Sequence, residues 1–236
     1  MDSLANCIEL SEFLVANNYL AGQVPNSVGN LSSQLQGIYF GGNQLSGDFP
    51  SGIANHRNLV IVSLSHDKFT GVLPEWLGAL NSLQVVQLRN NFFKGLIPSS
   101  FSNISLLMYL DLEWNQLNGP IPSSLGNLQV PQELLISSNN LHGTIPKEIF
   151  TIPTLVRITL SFNSLHAPLH ANIGNAKQLT YLQISSNNLS GEIPSTLGTC
   201  ESLEVIELGH NVFSGSIPPC LAIYVTYKFS TCLAIW

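Results

Sequence analysis

A single 24-residue pattern recurs along this chain and accounts for nearly all of its residues. The pattern reads L-x-x-L-x-L-x-x-N-x-L-x-G-x-I-P, and after a first step of 25 residues every later step is 24. The nine repeats begin at Leu10, Leu35, Leu59, Leu83, Leu107, Pro131, Leu155, Leu179 and Leu203. A fixed period of this length is typical of a solenoid, in which each repeat buries its apolar side only by stacking on its neighbours.

The L-x-L core of each repeat predicts one short β-strand, as at Leu110, Asp111 and Leu112. Alternation along a strand directs the two leucines inward and the residue between them outward. Stacked strands then form a parallel sheet, about 40 Å long at a spacing of roughly 4.8 Å. Such a solenoid has a long open face and no enclosed cleft, so the pattern favours binding over catalysis.

An asparagine lies eight residues after the first position of most repeats. The series is Asn18, Asn43, Asn91, Asn115, Asn139, Asn163, Asn187 and Asn211. The chain turns out of the strand at this point, and the turn leaves backbone groups in the interior. Because an amide side chain both donates and accepts, these asparagines predict a hydrogen-bonded ladder. Asp67 interrupts the series and cannot donate when ionised, so we expect a weaker rung in repeat three.

Glycine begins the G-x-I-P segment and permits a tight backbone turn there. The glycines are Gly22, Gly47, Gly71, Gly95, Gly119, Gly143, Gly191 and Gly215. Repeat seven has Ala167 instead, and its proline, Pro168, lies two places early. We therefore expect a local distortion of the convex side of the solenoid in that repeat.

The L-x-G-x-I-P segment with a 24-residue period resembles the plant-specific class of leucine-rich repeats. Stretches such as "GPIPSSLGNLQ" and "NNLHGTIPKEIFTIPTL" resemble ectodomains of plant receptor-like kinases, in the branch that holds the bacterial-peptide immune receptors. The resemblance covers roughly residues 2–221. It implies an α/β leucine-rich-repeat fold, a right-handed solenoid with a concave parallel β-sheet and a convex side of irregular or short helical segments.

The resemblance also implies a function and a location. In that family the ectodomain lies on the extracellular face of the plasma membrane and binds a peptide or protein ligand, with a co-receptor ectodomain as a second partner, in defence or development signalling. The family's kinase domain is absent from this sequence, so we expect no enzymatic activity. Two alternatives stay open: a secreted inhibitor of pathogen wall-degrading enzymes, and a truncated product without function.

Composition and the chain ends add constraints. Charged residues make up 9% of the chain and the net charge is −6, which argues against a nucleic-acid partner. We predict a repeat domain over residues 1–221 and a non-repeat tail over residues 222–236, with no segment long enough to cross a membrane. Neither end has the signal peptide or cysteine cap of the family, so we expect a fragment of an ectodomain or a truncated gene product.

The cysteines and histidines do not form a metal motif, and we expect no cofactor and no catalytic residue. Cys7 and Cys200 share a repeat position that is apolar elsewhere, so we expect both to be buried thiols. Cys220 and Cys232 could form a cap-like disulfide or remain unpaired. His166 and His170 lack the Cys or acidic partners of a zinc site.

Three Asn-x-Ser sequons begin at Asn30, Asn103 and Asn188. Chance matches are common in a sequence rich in Asn and Ser. In an extracellular domain, however, exposed sequons are N-glycosylation sites.

The variable strand positions of repeats four to seven carry the functional signal. They combine aromatic, arginine and acidic residues, whereas the outer repeats carry mostly glycine and serine. The predicted ligand-binding residues are Gln87, Arg89, Asn90, Phe92, Tyr109, Asp111, Glu113, Trp114, Glu133, Arg157 and Phe162. Exposed aromatic and arginine side chains concentrated in one zone favour an interaction surface over ordinary polar variation. We expect Arg89 to pair with Glu113 one strand away.

Overall fold

The computed structural model describes residues 2–221, in which nine short strands form one parallel sheet ordered as along the chain. These strands are β1 (Glu12–Leu14), β3 (Gly37–Tyr39), β5 (Ile61–Ser63), β7 (Val85–Gln87), β9 (Tyr109–Asp111), β11 (Glu133–Leu135), β13 (Arg157–Thr159), β15 (Tyr181–Gln183) and β17 (Val205–Glu207). Register follows the repeat, so Leu110 pairs with Leu134. The predicted leucine-rich-repeat solenoid with a parallel sheet is confirmed.

A second set of strands flanks this sheet and was not predicted from the sequence. It comprises β2 (Ala21–Gln23), β4 (Gln44–Gly47), β6 (Lys68–Phe69), β8 (Lys94–Gly95), β10 (Gln116–Gly119), β12 (Asn140–Gly143), β14 (Ser164–Pro168), β16 (Asn188–Glu192) and β18 (Val212–Ser214). β2, β4 and β6 form a three-stranded sheet, and the even-numbered strands from β8 to β18 form a six-stranded one. An isolated bridge connects Val72, three residues after the end of β6, to Lys94 of β8.

The remaining side of each of repeats one to eight holds a five-residue 3-10 helix, and one more such helix precedes repeat one. These helices are Asp2–Asn6, Asn26–Asn30, Ser51–Asn55, Glu75–Ala79, Ser99–Asn103, Ser123–Asn127, Lys147–Thr151, Ala171–Asn175 and Ser195–Thr199. In most repeats the residue before the helix is a proline, such as Pro98 or Pro122, whose fixed φ leads into the first turn. The helical part of the predicted α/β repeat is therefore 3-10 helix in these segments. Across residues 2–221 no helix is long and apolar enough to cross a bilayer.

The inward leucines and isoleucines of all repeats form one continuous core. Cys200 lies in this core as predicted, and its Sγ donates to the carbonyl oxygen of Ile173 at 3.1 Å. The matching expectation for Cys7 was wrong, because Cys7 is exposed. It lies at the first turn of the described chain, where no repeat packs in front of it. Cys232 and the rest of the predicted tail lie outside the described residues.

The asparagine ladder is confirmed, and Asn139 shows its geometry. Its Oδ1 accepts the N–H of Leu117 at 3.0 Å, and its Nδ2 donates to the carbonyl oxygens of Leu112 at 3.0 Å and Ile136 at 3.2 Å. Each buried rung thus joins its own turn to the preceding repeat. Asn18 is different, since it is exposed and donates only to Val15 and Ala16 in its own turn.

The predicted weak rung at Asp67 is also confirmed. Its Oδ1 accepts the N–H of Leu45 at 2.8 Å, but its buried Oδ2 has no hydrogen-bond partner among the described residues. Burial raises the pKa of this carboxyl to about 6, against the lowering effect of the backbone N–H groups of Leu45 and Asn43. At neutral pH repeat three therefore holds a poorly solvated carboxylate where other repeats hold an amide.

The predicted distortion in repeat seven was wrong. Ala167 takes φ 72°, close to the values of the glycines at this position, which run from 74° at Gly191 to 87° at Gly22. β14 pairs in register with both of its neighbours, β12 and β16. His170 replaces the usual proline before the helix, and its Nδ1 accepts the N–H of Asn172 at 3.0 Å. Stacking on both sides holds the alanine in a left-handed conformation that is unfavourable for a residue with a Cβ.

We expect Ala167→Gly to raise the free energy of unfolding by about 1 kcal/mol, because glycine adopts this φ without steric cost. Chemical denaturation of the two proteins measures the difference. Gly143→Ala is the matched reverse change one repeat earlier, where the added Cβ would meet Pro120 at an ordinary 3.5 Å. It should lower the stability by a similar amount, and equal stability of all three proteins would contradict the strain at Ala167.

Candidate functional site

The outward side of the nine-stranded sheet, which we call the concave face, carries three rows of side chains. In repeats four to eight the first row is Val85, Tyr109, Glu133, Arg157 and Tyr181, the second is Gln87, Asp111, Leu135, Thr159 and Gln183, and the third is Arg89, Glu113, Ser137, Ser161 and Ser185. Since neighbouring strands lie about 4.8 Å apart, residues in one row are in side-chain contact range. Most of the predicted site residues thus come together on one surface.

A hydrogen-bonded network crosses the middle of the concave face. The guanidinium of Arg89 donates to Oε2 of Glu113, so the predicted pair forms. The other oxygen, Oε1, accepts the hydroxyl of Thr159 at 2.6 Å. Glu113 therefore spans the intervening strand β11 and links repeat four to repeat seven. Groups fixed in this way need little further ordering when a partner binds.

Strand alternation directs Asp111 and Leu135 outward, and Glu113 belongs to the predicted ligand-binding set, yet all three are buried. Asp111 is 5% exposed, Glu113 9% and Leu135 6%. Alternation correctly placed Asp111 and Leu135 on the concave face, but neighbouring side chains cover them. The bridge from Glu113 to Thr159 passes over repeat six, the repeat that holds Leu135. The accessible surface is therefore made of the residues around them, above all Arg89, Tyr109 and Arg157.

Asp111 is a carboxyl group without a cation of its own. Its Oδ1 accepts the N–H of Glu113 at 3.1 Å, while Arg89 pairs with Glu113 instead. Desolvation by burial and the nearby charge of Glu113 raise the pKa of Asp111 to about 6, although the N–H of Glu113, the charge of Arg89 and the hydroxyl of Tyr109 oppose the shift. Burial, with Asp111 and Glu133 beside it, likewise raises the pKa of Tyr109 to about 12.

Arg157 extends the site towards repeat eight. Its guanidinium lies 3.9 Å from Oε2 of Glu133 and 4.3 Å from the centre of the Tyr181 ring. Sequence reasoning missed Tyr181, and it missed Thr159 and Ser161 as well. Ser161 has a buried hydroxyl with no hydrogen-bond partner among the described residues. The signal was available, because each of the three continues a row that already contained predicted residues.

The other predicted residues lie where the chain leaves the strands. Asn90, Trp114 and Phe162 each directly precede a ladder asparagine and have positive φ, at 54°, 56° and 56°. Their side chains are exposed at one edge of the concave face. Phe92 is also exposed, but it lies beyond the ladder residue Asn91, on the side of the flanking sheets. The structure therefore separates Phe92 from the rest of the predicted set.

A shallow hollow of about 270 Å³ lies beside this site, over repeats one to five. Small residues such as Gly41, Ser63 and Ser65 line it, with Arg89 and Asp111 at one end. Over residues 2–221 no group of three or more His, Cys, Asp or Glu side chains could hold a metal ion. The arrangement offers anchoring side chains and hydrogen-bonding groups on an open surface.

Comparison with known proteins shows similarity to leucine-rich-repeat proteins. The family described as leucine rich repeat matches residues 57–117, with further matches at residues 178–200 and 202–222. Over 62 residues the chain is 40% identical to the LRR receptor-like serine/threonine-protein kinase EFR of Arabidopsis thaliana, a match that covers 26% of this chain and 6% of that protein. The chain thus corresponds to a small part of this relative's length.

Solved structures match over nearly the whole chain. The plant peptide hormone receptor RGFR1, solved with RGF2, is 30% identical with a TM-score of 0.88, over 94% of this chain and 39% of that one. The LRR ectodomain of the Arabidopsis receptor kinase HAESA, solved with an IDA peptide hormone, is 32% identical with a TM-score of 0.86, over 92% and 36%. HAESA was also solved with IDA and the co-receptor SERK1. The chain is a leucine-rich-repeat solenoid homologous to plant leucine-rich-repeat receptor kinases.

Proposed function

We propose that this chain is the ligand-binding part of a plant receptor ectodomain and that it binds a peptide or protein through the concave face of repeats four to seven. The observation that carries the proposal is the concentration of Arg89, Tyr109, Trp114, Arg157 and Phe162 on one edge and one face of the same sheet. Aromatic and arginine side chains dominate binding energy at protein interfaces. The likeness to receptors solved with peptide hormones supports the same reading.

The partners and the setting follow from the same likeness. HAESA was solved with a co-receptor as well as a peptide, so we propose a co-receptor ectodomain as the second partner of this chain. We place the chain outside the cell, at the plasma membrane of a plant, in defence or development signalling. Asn30, Asn103 and Asn188 are all exposed, and none belongs to the nine-stranded sheet. Glycans on them would leave the concave face open.

The proposal predicts that peptides selected on this chain lose affinity when the concave face is altered. A library of displayed random peptides supplies the probes, and titration calorimetry measures their affinity. Arg89→Ala and Tyr109→Ala should each weaken binding by about tenfold, the usual effect of removing an anchoring side chain. Ser185→Ala, in the same row as Arg89 but four repeats away, is the matched control and should leave affinity unchanged.

Two outcomes would contradict the proposed function. A library that yields no specific binder would argue against a peptide-binding surface. Selected peptides that bind Arg89→Ala, Tyr109→Ala and Ser185→Ala as tightly as the wild type would place their site elsewhere on the solenoid.

A further inference from the structure

The carboxylate of Glu113 is held by one side chain on each of its two oxygens. Its Oε2 accepts from the guanidinium of Arg89, and its Oε1 accepts the hydroxyl of Thr159 at 2.6 Å. The side chain of Glu113 is only 11% exposed. Rotation of this carboxylate would leave a buried polar group without its partner, which is costly, so the carboxylate has little freedom to turn.

Thr159 is the fixed end of this arrangement. It lies in β13, and its backbone pairs in register with Leu135 on one side and Gln183 on the other. Its branched Cβ restricts rotation about χ1, so the position of the hydroxyl oxygen is fixed as well. Thr159 is 5% exposed, and a partner on the concave face would reach little of it. Any effect of its hydroxyl on binding must therefore pass through Glu113.

Arg89 is the accessible end of the same arrangement. Its side chain is 37% exposed, and a guanidinium carries five N–H donors. Among residues 2–221 its only side-chain acceptor is Glu113, which the Nη1 group reaches. The other donors can therefore meet a hydrogen-bond acceptor of a partner. An arginine that is already held in one orientation loses less conformational entropy on binding than one that moves freely.

Arg157 offers a comparison on the same face, because its acid is not held in this way. Its guanidinium lies 3.9 Å from Oε2 of Glu133, and the side chain of Glu133 is 32% exposed. In the described part of the chain, Glu133 accepts no hydrogen bond from a second side chain. An exposed pair of this kind holds its members only loosely. Of the two arginines in the predicted site, Arg89 is thus the one that is held through a buried acid.

We propose that Thr159 is a positioning residue for ligand binding: it fixes Glu113, and Glu113 fixes Arg89 in the orientation that a peptide ligand meets. This rests on the proposed function, because it concerns how the same face is prepared for its ligand. Thr159 itself touches no ligand in this arrangement. Repeat seven thereby controls an anchoring side chain in repeat four, three strand spacings or roughly 14 Å away.

The test measures the affinity of peptides selected on the wild type from a displayed random library. Thr159→Val keeps the size and branching of the side chain and removes the hydroxyl, whereas Thr159→Ser keeps the hydroxyl. Thr199→Val is the matched control. The hydroxyl of Thr199 also joins two repeats, since it donates to the carbonyl oxygen of Gly174 at 2.9 Å, but Thr199 lies in a 3-10 helix and not on the concave face.

We expect Thr159→Val to bind about fivefold more weakly than the wild type, because the ligand must then order the arginine side chain itself. In the Arg89→Ala background the same substitution should have no effect, since the residue that it positions is absent. Thr159→Ser and Thr199→Val should bind nearly as the wild type does. Nitrogen-15 NMR of the ligand-free protein gives a second readout, in which the guanidinium N–H groups of Arg89 should exchange with solvent faster in Thr159→Val.

Thr159→Val binding as tightly as the wild type would overturn the inference, and so would an equal loss with Arg89 present and with Arg89→Ala. Unchanged exchange of the Arg89 N–H groups in Thr159→Val would also overturn it. The result for Arg89→Ala distinguishes the two proposals. If Arg89→Ala loses affinity and Thr159→Val does not, the concave face binds peptide without this positioning. If Arg89→Ala binds as the wild type does, both proposals fail at this residue.

Discussion

Replacing Asn139 with alanine should lower the free energy of unfolding by about 3 kcal/mol, because the change leaves a buried backbone N–H without its acceptor and removes further hydrogen bonds to buried carbonyl oxygens. The N–H of Leu117 loses its acceptor, whereas the carbonyl oxygens of Leu112 and Ile136 each lose one donor and keep a second, from Asn115 and Asn163 respectively. Each unsatisfied buried group costs about 1–3 kcal/mol. Urea denaturation of wild type and variant measures the loss.

Asn18→Ala is the matched control for the ladder. Asn18 occupies the same repeat position but is exposed, and it reaches only carbonyl oxygens of its own turn. Its replacement should change stability by less than about 0.5 kcal/mol. A loss below about 1 kcal/mol for Asn139→Ala, or similar losses at both positions, would contradict a ladder that joins successive repeats.

Asp67→Asn should make the protein more stable by about 2 kcal/mol at pH 7.5, since an amide restores the missing donor and removes a poorly solvated charge. The nearest ladder residue, Asn91, shows the bonds to be gained, with its Nδ2 donating to the carbonyl oxygen of Leu64 at 2.7 Å and of Leu88 at 3.2 Å. Asn91→Asp is the reverse change and should destabilise repeat four. An Asp67→Asn protein no more stable than the wild type would contradict this account of the third rung.

The same substitution should remove part of the pH dependence of folding. The folded-state pKa of Asp67, about 6, lies above its ordinary value, so the protonated form favours the folded state. Its contribution is complete below about pH 4 and is lost as the pH rises through about 6. Asp111 titrates in the same direction. Wild type should therefore lose more stability than Asp67→Asn between pH 5 and pH 7.5, and parallel pH profiles would contradict the assignment.

The repeat period was sufficient to predict the stacked strands, the ladder and the turn glycines, because each depends on one residue at one position. Asp67 could be identified as a defect for the same reason. The positive φ of Ala167 could not be predicted in this way. The sequence shows an unfavourable residue, but it does not show whether the two neighbouring repeats hold the backbone in place. Here the pairing of β14 with β12 and β16 prevailed over local preference.

The candidate site was predictable in position but not in detail. Alternation assigns Asp111 and Leu135 to the concave face, yet it does not show that longer neighbours cover them. The 24-residue period identifies neighbours one strand apart, such as Arg89 and Glu113. It gives no signal for the hydrogen bond from Glu113 to Thr159, which crosses a whole repeat. Burial and long-range side-chain contacts need the lengths and rotamers of several residues together.

The most direct test of ligand binding at repeats four to seven is a crystal structure of the chain with a peptide selected on it. The account predicts that the peptide lies on the nine-stranded sheet, in contact with Arg89, Tyr109 and Arg157. A peptide bound instead to the 3-10 helices, to the flanking sheets or to either end of the solenoid would contradict it.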